Sequence, residues 1–162
     1  MTRWLTDDEQ RAWRAWIAVS LLLPDRLSRD LQEDSEVSLA DYVILMHLSE
    51  APDRRLRMSE LADATMSSRS RLSHQIDRLS AAGLVDREPC SGDRRGFFAV
   101  LTPAGWDFVV EVAPDHVASV RKRLVDVLTP EEFAEFGRLC AKVAEQLRPP
   151  PGESSTESDG RS

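Results

Sequence analysis

Residues 56–106 read LRMSELADATMSSRSRLSHQIDRLSAAGLVDREPCSGDRRGFFAVLTPAGW, and the punctuation of this stretch decides the fold. Ser59 opens a short helical run through Glu60, Leu61 and Ala62 towards Thr65. Ser68 caps a longer run to about Ala82, where Gly83 is a natural stop. Within it Leu72, Ile76 and Leu79 are spaced four and three apart, which makes one narrow buried stripe. At about 100° per residue, Ser70 and His74 point the opposite way, flanked by Arg71, Ser73, Asp77 and Arg78. Residues 84–89 and 96–101 then read as two strands around the charged turn Cys90-Ser91-Gly92-Asp93-Arg94-Arg95. A β-hairpin thus follows a helix-turn-helix directly.

Helices surround this centre. Residues 6–34 read as one, with Thr6 as N-cap and Asp7, Asp8 and Glu9 at the positive end of its dipole. Trp13, Trp16, Ile17, Ser20, Leu21, Pro24, Leu27 and Leu31 recur there at helical spacing, and Pro24 is expected to kink the helix or break it in two. Residues 38–50 form a second helix that buries Leu39, Tyr42, Ile44, Leu45 and Leu48, closed by the turn Ala51-Pro52-Asp53. Thr102-Pro103 opens another, which carries Trp106, Phe108 and Val109 and runs to about Val127 with a bend at Pro114. Thr129-Pro130-Glu131-Glu132 is a capping box for a last helix ending near Leu147. Beyond it no large apolar residue remains, so the tail is expected to be disordered. The fold class is mainly α with one small hairpin, divided as 1–37, 38–101, 102–148 and a tail at 149–162.

Charge localises a partner. The 162 residues carry a net −7, yet residues 54–95 hold nine arginines against six acids. That segment is +3, which leaves −10 for the rest. A basic middle between acidic flanks suggests a localised anionic partner. No apolar run approaches the ~20 residues needed to span a bilayer. The N-terminus lacks the basic head and apolar core of a secretory signal. A soluble, cytoplasmic protein without a membrane partner is expected.

The order helix, helix, helix, outward-facing polar helix, hairpin, helix, helix resembles the MarR family of winged helix-turn-helix transcription regulators. SELA (59–62), DRLSAAGLV (77–85), DRR (93–95) and LTPAG (101–105) carry the resemblance in identity and spacing. Outside that block it is one of helix order and length, over about residues 5–147. The resemblance implies a homodimer whose first and last helices interdigitate between subunits. It also implies that the 68–82 helix lies in the DNA major groove and that the Asp93–Arg95 wing reaches the minor groove. Most members repress a nearby operon, and many release DNA when a small aromatic or phenolic molecule binds.

The residue chemistry suits that role. A major groove about 12 Å wide admits one helix, and Arg69 and Arg71 can donate bidentately to guanine O6 and N7. Ser68, Ser70 and Ser73 suit phosphate oxygens or base edges, and His74 either contacts DNA or is merely exposed. Arg78, nearer the helix end, is expected on the DNA backbone. Arg94 and Arg95 form the wing tip, and Arg95 is the candidate for minor-groove insertion, where narrow A·T tracts concentrate negative potential. Asp93 would be repelled by DNA and is expected to pair with a neighbouring arginine and fix the wing.

Trp13, Trp16, Tyr42, His47 and Trp106 are candidates for an effector pocket, against the plainer reading that aromatic residues at helical spacing are packing. The family's peroxide sensors carry a reactive cysteine near the start of the first helix. This chain has only Cys90 and Cys140. Cys90 is expected to be an exposed thiol without function, and response to a ligand rather than to oxidation is expected.

Two other classes compete. Catalysis finds no support, because nucleotide-loop, nucleophile-elbow and metalloprotease motifs are missing from the sequence. Two cysteines 50 positions apart, without paired histidines, do not make a zinc site, so neither metal nor cofactor is expected. A winged helix that binds protein, as an adaptor or anti-regulator, draws support from the overall acidity. It should, however, expose large apolar anchors on the 68–82 helix, where this chain has Ser, Arg and His.

Overall fold

A computed structural model describes residues 1–35, 37–90 and 96–147. The chain forms two units, one of residues 1–120 and one that begins at Arg121. The first helix, α1 (Asp7–Asp34), starts with a reciprocal capping box. The Thr6 N–H donates to Glu9 Oε2 at 2.8 Å, and the Glu9 N–H donates to Thr6 Oγ1 at 3.3 Å. Pro24 lies inside α1 without splitting it. Helix α2 (Leu39–Glu50) is capped by Ser38, whose Oγ accepts from the Asp41 N–H at 3.2 Å. Tyr42, Ile44, Leu45 and Leu48 are buried as expected, whereas Leu39 is only half-buried at the helix mouth.

The sheet has three strands rather than two. After Pro52 the chain makes a tight turn in which Asp53 and Arg54 both take a left-handed φ of 53°. It emerges as β1 (Arg55–Arg57), which pairs antiparallel with β3 (Phe97–Leu101), Leu56 opposite Ala99. Strand β2 (Val85–Pro89) pairs on the other side of β3, so the order is β1-β3-β2. This third strand corrects the expected cap of the next helix, α3 (Met58–Ala64). The ladder holds the chain extended to Arg57, so the helix starts at Met58, two residues earlier than expected, and Arg57, not Ser59, is its N-cap. The Arg57 N–H donates to Glu60 Oε2 at 3.0 Å. Met66, with φ 51°, then reverses the chain into α4 (Arg69–Ala81).

Ile44, Leu45, Leu48, Leu61, Leu72, Ile76 and Val85 are fully buried in one cluster with Leu79, Ala99, Leu101 and Val109. Each such side chain contributes about 1.5–3 kcal/mol relative to exposure, so this cluster fixes where α4 and the hairpin stand. Helix α5 (Pro103–Arg123) adds Val109 to it, and Val112 to a smaller cluster with Leu31 and Tyr42. It stays helical through Pro114 but ends at Arg123, four residues before the expected stop, because Leu124 leaves helical geometry at φ −135°.

In the second unit, α6 (Pro130–Leu147) opens with the expected capping box. Thr129 N–H donates to Glu132 Oε2 at 2.8 Å and Glu132 N–H to Thr129 Oγ1 at 3.2 Å. The 149–162 tail lies outside the described residues. No helix of the described residues is long and apolar enough to cross a membrane.

Candidate nucleic-acid interface

Helix α4 is a capped, one-sided helix. Ser68 Oγ accepts from the Arg71 N–H at 3.3 Å, and the other end closes through Ala82 into Gly83 at φ 74°. Leu72, Ile76 and Leu79 face the core, together with Gln75. Arg69, Ser70, Arg71 and His74 are exposed. No large apolar side chain interrupts that outward set.

Two of the expected contact residues are already engaged. Arg78, 60% exposed in its side chain, donates to both carboxylate oxygens of Asp41 on α2, at 2.9 and 3.2 Å. The Asp41 carboxylate is buried and also accepts from Ser38 Oγ at 2.8 Å and Gln75 Nε2 at 3.4 Å. Ser73 is half-buried, and its carbonyl and Oγ accept from the Arg87 guanidinium at 3.0 and 3.1 Å. The same guanidinium reaches Asp77 at 2.8 Å, which ties β2 to α4.

Asp41 and Arg87 were not legible as part of the interface. Asp41 looks like an ordinary first-turn acid of α2, and nothing in the sequence announces a partner 37 residues away.

The hairpin runs in register from Val85 opposite Leu101 to Pro89 opposite Phe97. The Cys90 N–H donates to the Gly96 carbonyl at 2.9 Å just beyond the ladder. Asp93, Arg94 and Arg95 lie outside the described residues. Cys90 corrects the expectation of an exposed thiol: only 5% of it is accessible, at a cleft it lines together with Met58, Leu72 and Phe97. Among the described residues no group of three or more His, Cys, Asp or Glu is placed to hold a metal ion.

Two clefts flank α4. One, of about 910 Å3, lies between α1, α2 and α4 and is lined by Pro24, Ser38, Arg71, His74 and Arg78, among others. The other, of about 430 Å3, lies towards the hairpin and includes Arg57, Arg69, Ser73, Arg87 and Cys90. Neither is lined by the five aromatic candidates.

Those candidates are dispersed. Trp13 and Trp16 stand exposed on α1, at 54% and 46%. His47 is half-buried on α2. Trp106 is half-buried with the Arg54 guanidinium 3.7 Å above its ring. Tyr42 is buried against His116 of α5, the ring centroids 4.7 Å apart. Burial pushes the His116 imidazole below its ordinary pKa. It pushes the Tyr42 phenol up, with the charge of Glu50 acting in the same direction.

Known proteins share this arrangement. The family model described as "MarR family" matches residues 35–96. The chain is 32% identical over 134 residues to the HTH-type transcriptional regulator PecS of Dickeya dadantii, covering 80% of this chain and 77% of that one. It is 52% identical to AbsC, a MarR family transcriptional regulator from Streptomyces coelicolor, with a TM-score of 0.86 over 90% of this chain and 98% of that one. Sco3205, a MarR family regulator from the same organism solved in complex with DNA, is 44% identical, with a TM-score of 0.91 over 95% and 97% of the two chains.

Proposed function

From the premise that this chain belongs to the MarR family, and is a DNA-binding transcriptional regulator rather than an enzyme, we propose that it works as a homodimeric repressor of a pseudo-palindromic operator. The observation that carries the reading is the outward face of α4, where Arg69, Ser70, Arg71 and His74 are exposed together. Arginine forks there reach guanine edges, and the serines and the free N–H groups at the helix start suit phosphate. Arg94 and Arg95 extend the contact into the minor groove, with Asp93 shaping the wing. Ser68, Ser73 and Arg78 complete the contact set at the edges of α4.

Exposed apolar side chains support a homodimer. Trp13, Trp16 and Leu21 are solvent-exposed on α1 of the first unit, and Leu139, Val143 and Leu147 on α6 of the second. Exposed aromatic and aliphatic side chains grouped on one helix mark an interaction face, on each unit taken by itself. A two-fold dimer sets its recognition helices about one helical turn, 34–36 Å, apart. A small aromatic or phenolic effector releases the DNA by favouring a dimer with a different half-site spacing. The protein-binding alternative has no apolar anchor on α4 to support it.

The test is a fluorescence-anisotropy titration on DNA from upstream of the protein's own gene, against scrambled duplex, at two salt concentrations. Tight, selective, salt-sensitive binding is expected. Absence of any preference there and in a wider duplex selection would overturn the reading in favour of a protein partner.

A further inference from the structure

We propose that Asp41 and Arg87, two residues outside the recognition helix, fix the roll of α4 about its own axis and are thereby positioning residues for operator discrimination. The inference rests on the reading of α4 as the recognition helix and adds to it the means by which that helix is aimed.

The apolar stripe of α4 does not aim it unaided. Leu72, Ile76 and Leu79 form a narrow contact, and hydrophobic attraction is non-directional. With side chains reaching about 6 Å from the axis, a roll of about 20° carries an outward tip by about 2 Å. That displacement is enough to take a hydrogen bond outside its working range.

Directional contacts stand on both sides of the stripe. At about 100° per residue, Ser73 and Asp77 fall on one side of it, and Gln75 and Arg78 on the other. Arg87 holds the first pair at 2.8–3.1 Å, and Asp41 holds the second at 2.9–3.4 Å.

The two ties also settle charge. Asp77 on α4 and Asp41 beneath it would each repel a phosphate backbone, and each is paired with a guanidinium. The Asp41 carboxylate is held from three sides, by Ser38, Gln75 and Arg78, so it cannot swing to follow a rolling helix. One Arg87 guanidinium nitrogen, Nη2, bridges Ser73 and Asp77, one helical turn apart, and the rigid planar group holds it at a point where the shorter, flexible lysine stem does not hold an ammonium.

The experiment uses full-length Asp41→Asn and Arg87→Lys proteins. An operator is first selected from random duplexes with the wild-type protein. Four quantities are then read for each variant: affinity for the operator, affinity for scrambled duplex, the slope of log affinity against log salt, and the urea unfolding midpoint.

Each variant is expected to lose about tenfold or more of its preference for operator over scrambled DNA. Its scrambled-duplex affinity and salt slope should stay at wild-type values. Unchanged preference in folded variants would overturn the inference. So would an equal loss on both duplexes with a shallower salt slope, which marks a direct phosphate contact, or a loss that merely tracks unfolding. If Asp41→Asn does not fold, Arg87→Lys, at the exposed flank of the helix, decides the question by the same readouts. A wild-type protein that selects no operator would bring down the functional reading itself and this inference with it; selection by the wild type and equally by both variants would remove this inference alone.

Discussion

Gly105 lies so close to the Leu84 carbonyl that a Cβ at position 105 would stand 2.1 Å from that oxygen, and 2.7 Å from Leu101 Cδ1. Thr102 completes the junction. Its N–H donates to the same Leu84 carbonyl at 3.1 Å, its Oγ1 donates to the Gly83 carbonyl at 2.7 Å, and that Oγ1 accepts the Gly105 N–H at 3.0 Å. The LTPAG and AAGLV segments therefore meet in one joint, which fixes the start of α5 to the end of α4.

Gly105→Ala should accordingly destabilise the protein by about 3 kcal/mol, the upper part of the range for overpacking. Gly83→Ala offers a control, since nothing lies within 4 Å of its Cβ position and only its φ of 74° opposes a side chain. That conformational cost is about 1–2 kcal/mol. Urea midpoints of the two variants check the order. Equal losses would mean that the 105 backbone relaxes away from Leu84.

Arg71 and Arg95 should behave differently from one another on DNA. Arg71 is exposed on α4, and its loss as Arg71→Ala should weaken operator binding by about 1–3 kcal/mol and relax choice at one base pair per half-site. Arg95→Ala should cost a similar amount but relax preference at the flanking A·T positions under the wing. Anisotropy titrations on duplexes changed one base pair at a time separate the two. An Arg95→Ala protein with unaltered affinity and preference would take the wing out of the interface.

Much of this was legible from the chain, for identifiable reasons. Caps that depend on neighbouring residues, Thr6 with Glu9 and Thr129 with Glu132, declare themselves in sequence because both partners sit three positions apart. The outward face of α4 was legible because helical periodicity fixes directions. What stayed hidden depends on distant pairing. β1 is three residues long, too short for its Arg-Leu-Arg alternation to mark a strand, yet its pairing with β3 moves the cap of α3 from Ser59 to Arg57. The burial of Cys90 and the engagement of Arg78 by Asp41 likewise come from segments that meet only in the fold.

Stability should depend on pH through His116. Burial lowers its folded pKa below the unfolded value of about 6.5. The unfolded chain therefore binds the proton more readily, and the contribution is fully present above that value and lost as pH falls through the folded pKa. Urea midpoints at pH 7.5 and 5.5 should differ more in the wild type than in His116→Phe, which keeps a ring against Tyr42 without a titrating group. The same pH dependence in both proteins would place its origin in other groups.

Trp16→Glu should convert a dimer into a monomer. Trp13 and Trp16 are three positions apart, so they share one face of α1, and about half of each ring is exposed in the single chain. A buried tryptophan covers up to about 250 Å2, so covering the exposed half of Trp16 removes on the order of 100 Å2 from water. That is about 2.5 kcal/mol per copy at 25 cal/mol per Å2. An isologous two-fold interface contains the residue twice, so the substitution forfeits both contributions and buries two carboxylates against apolar surface. The loss should carry a tight dimer into micromolar dissociation or beyond. Helical content should be retained, because the Trp16 side chain is no part of the core clusters that hold α4. Sedimentation velocity checks the mass, expected to fall from twice the 18.2 kDa of the chain to once that value. Operator affinity should fall with it, since a single recognition helix reads only one half-site. A variant that remains dimeric would remove this face of α1 from the interface, and a monomeric wild type would remove the dimer from the proposal.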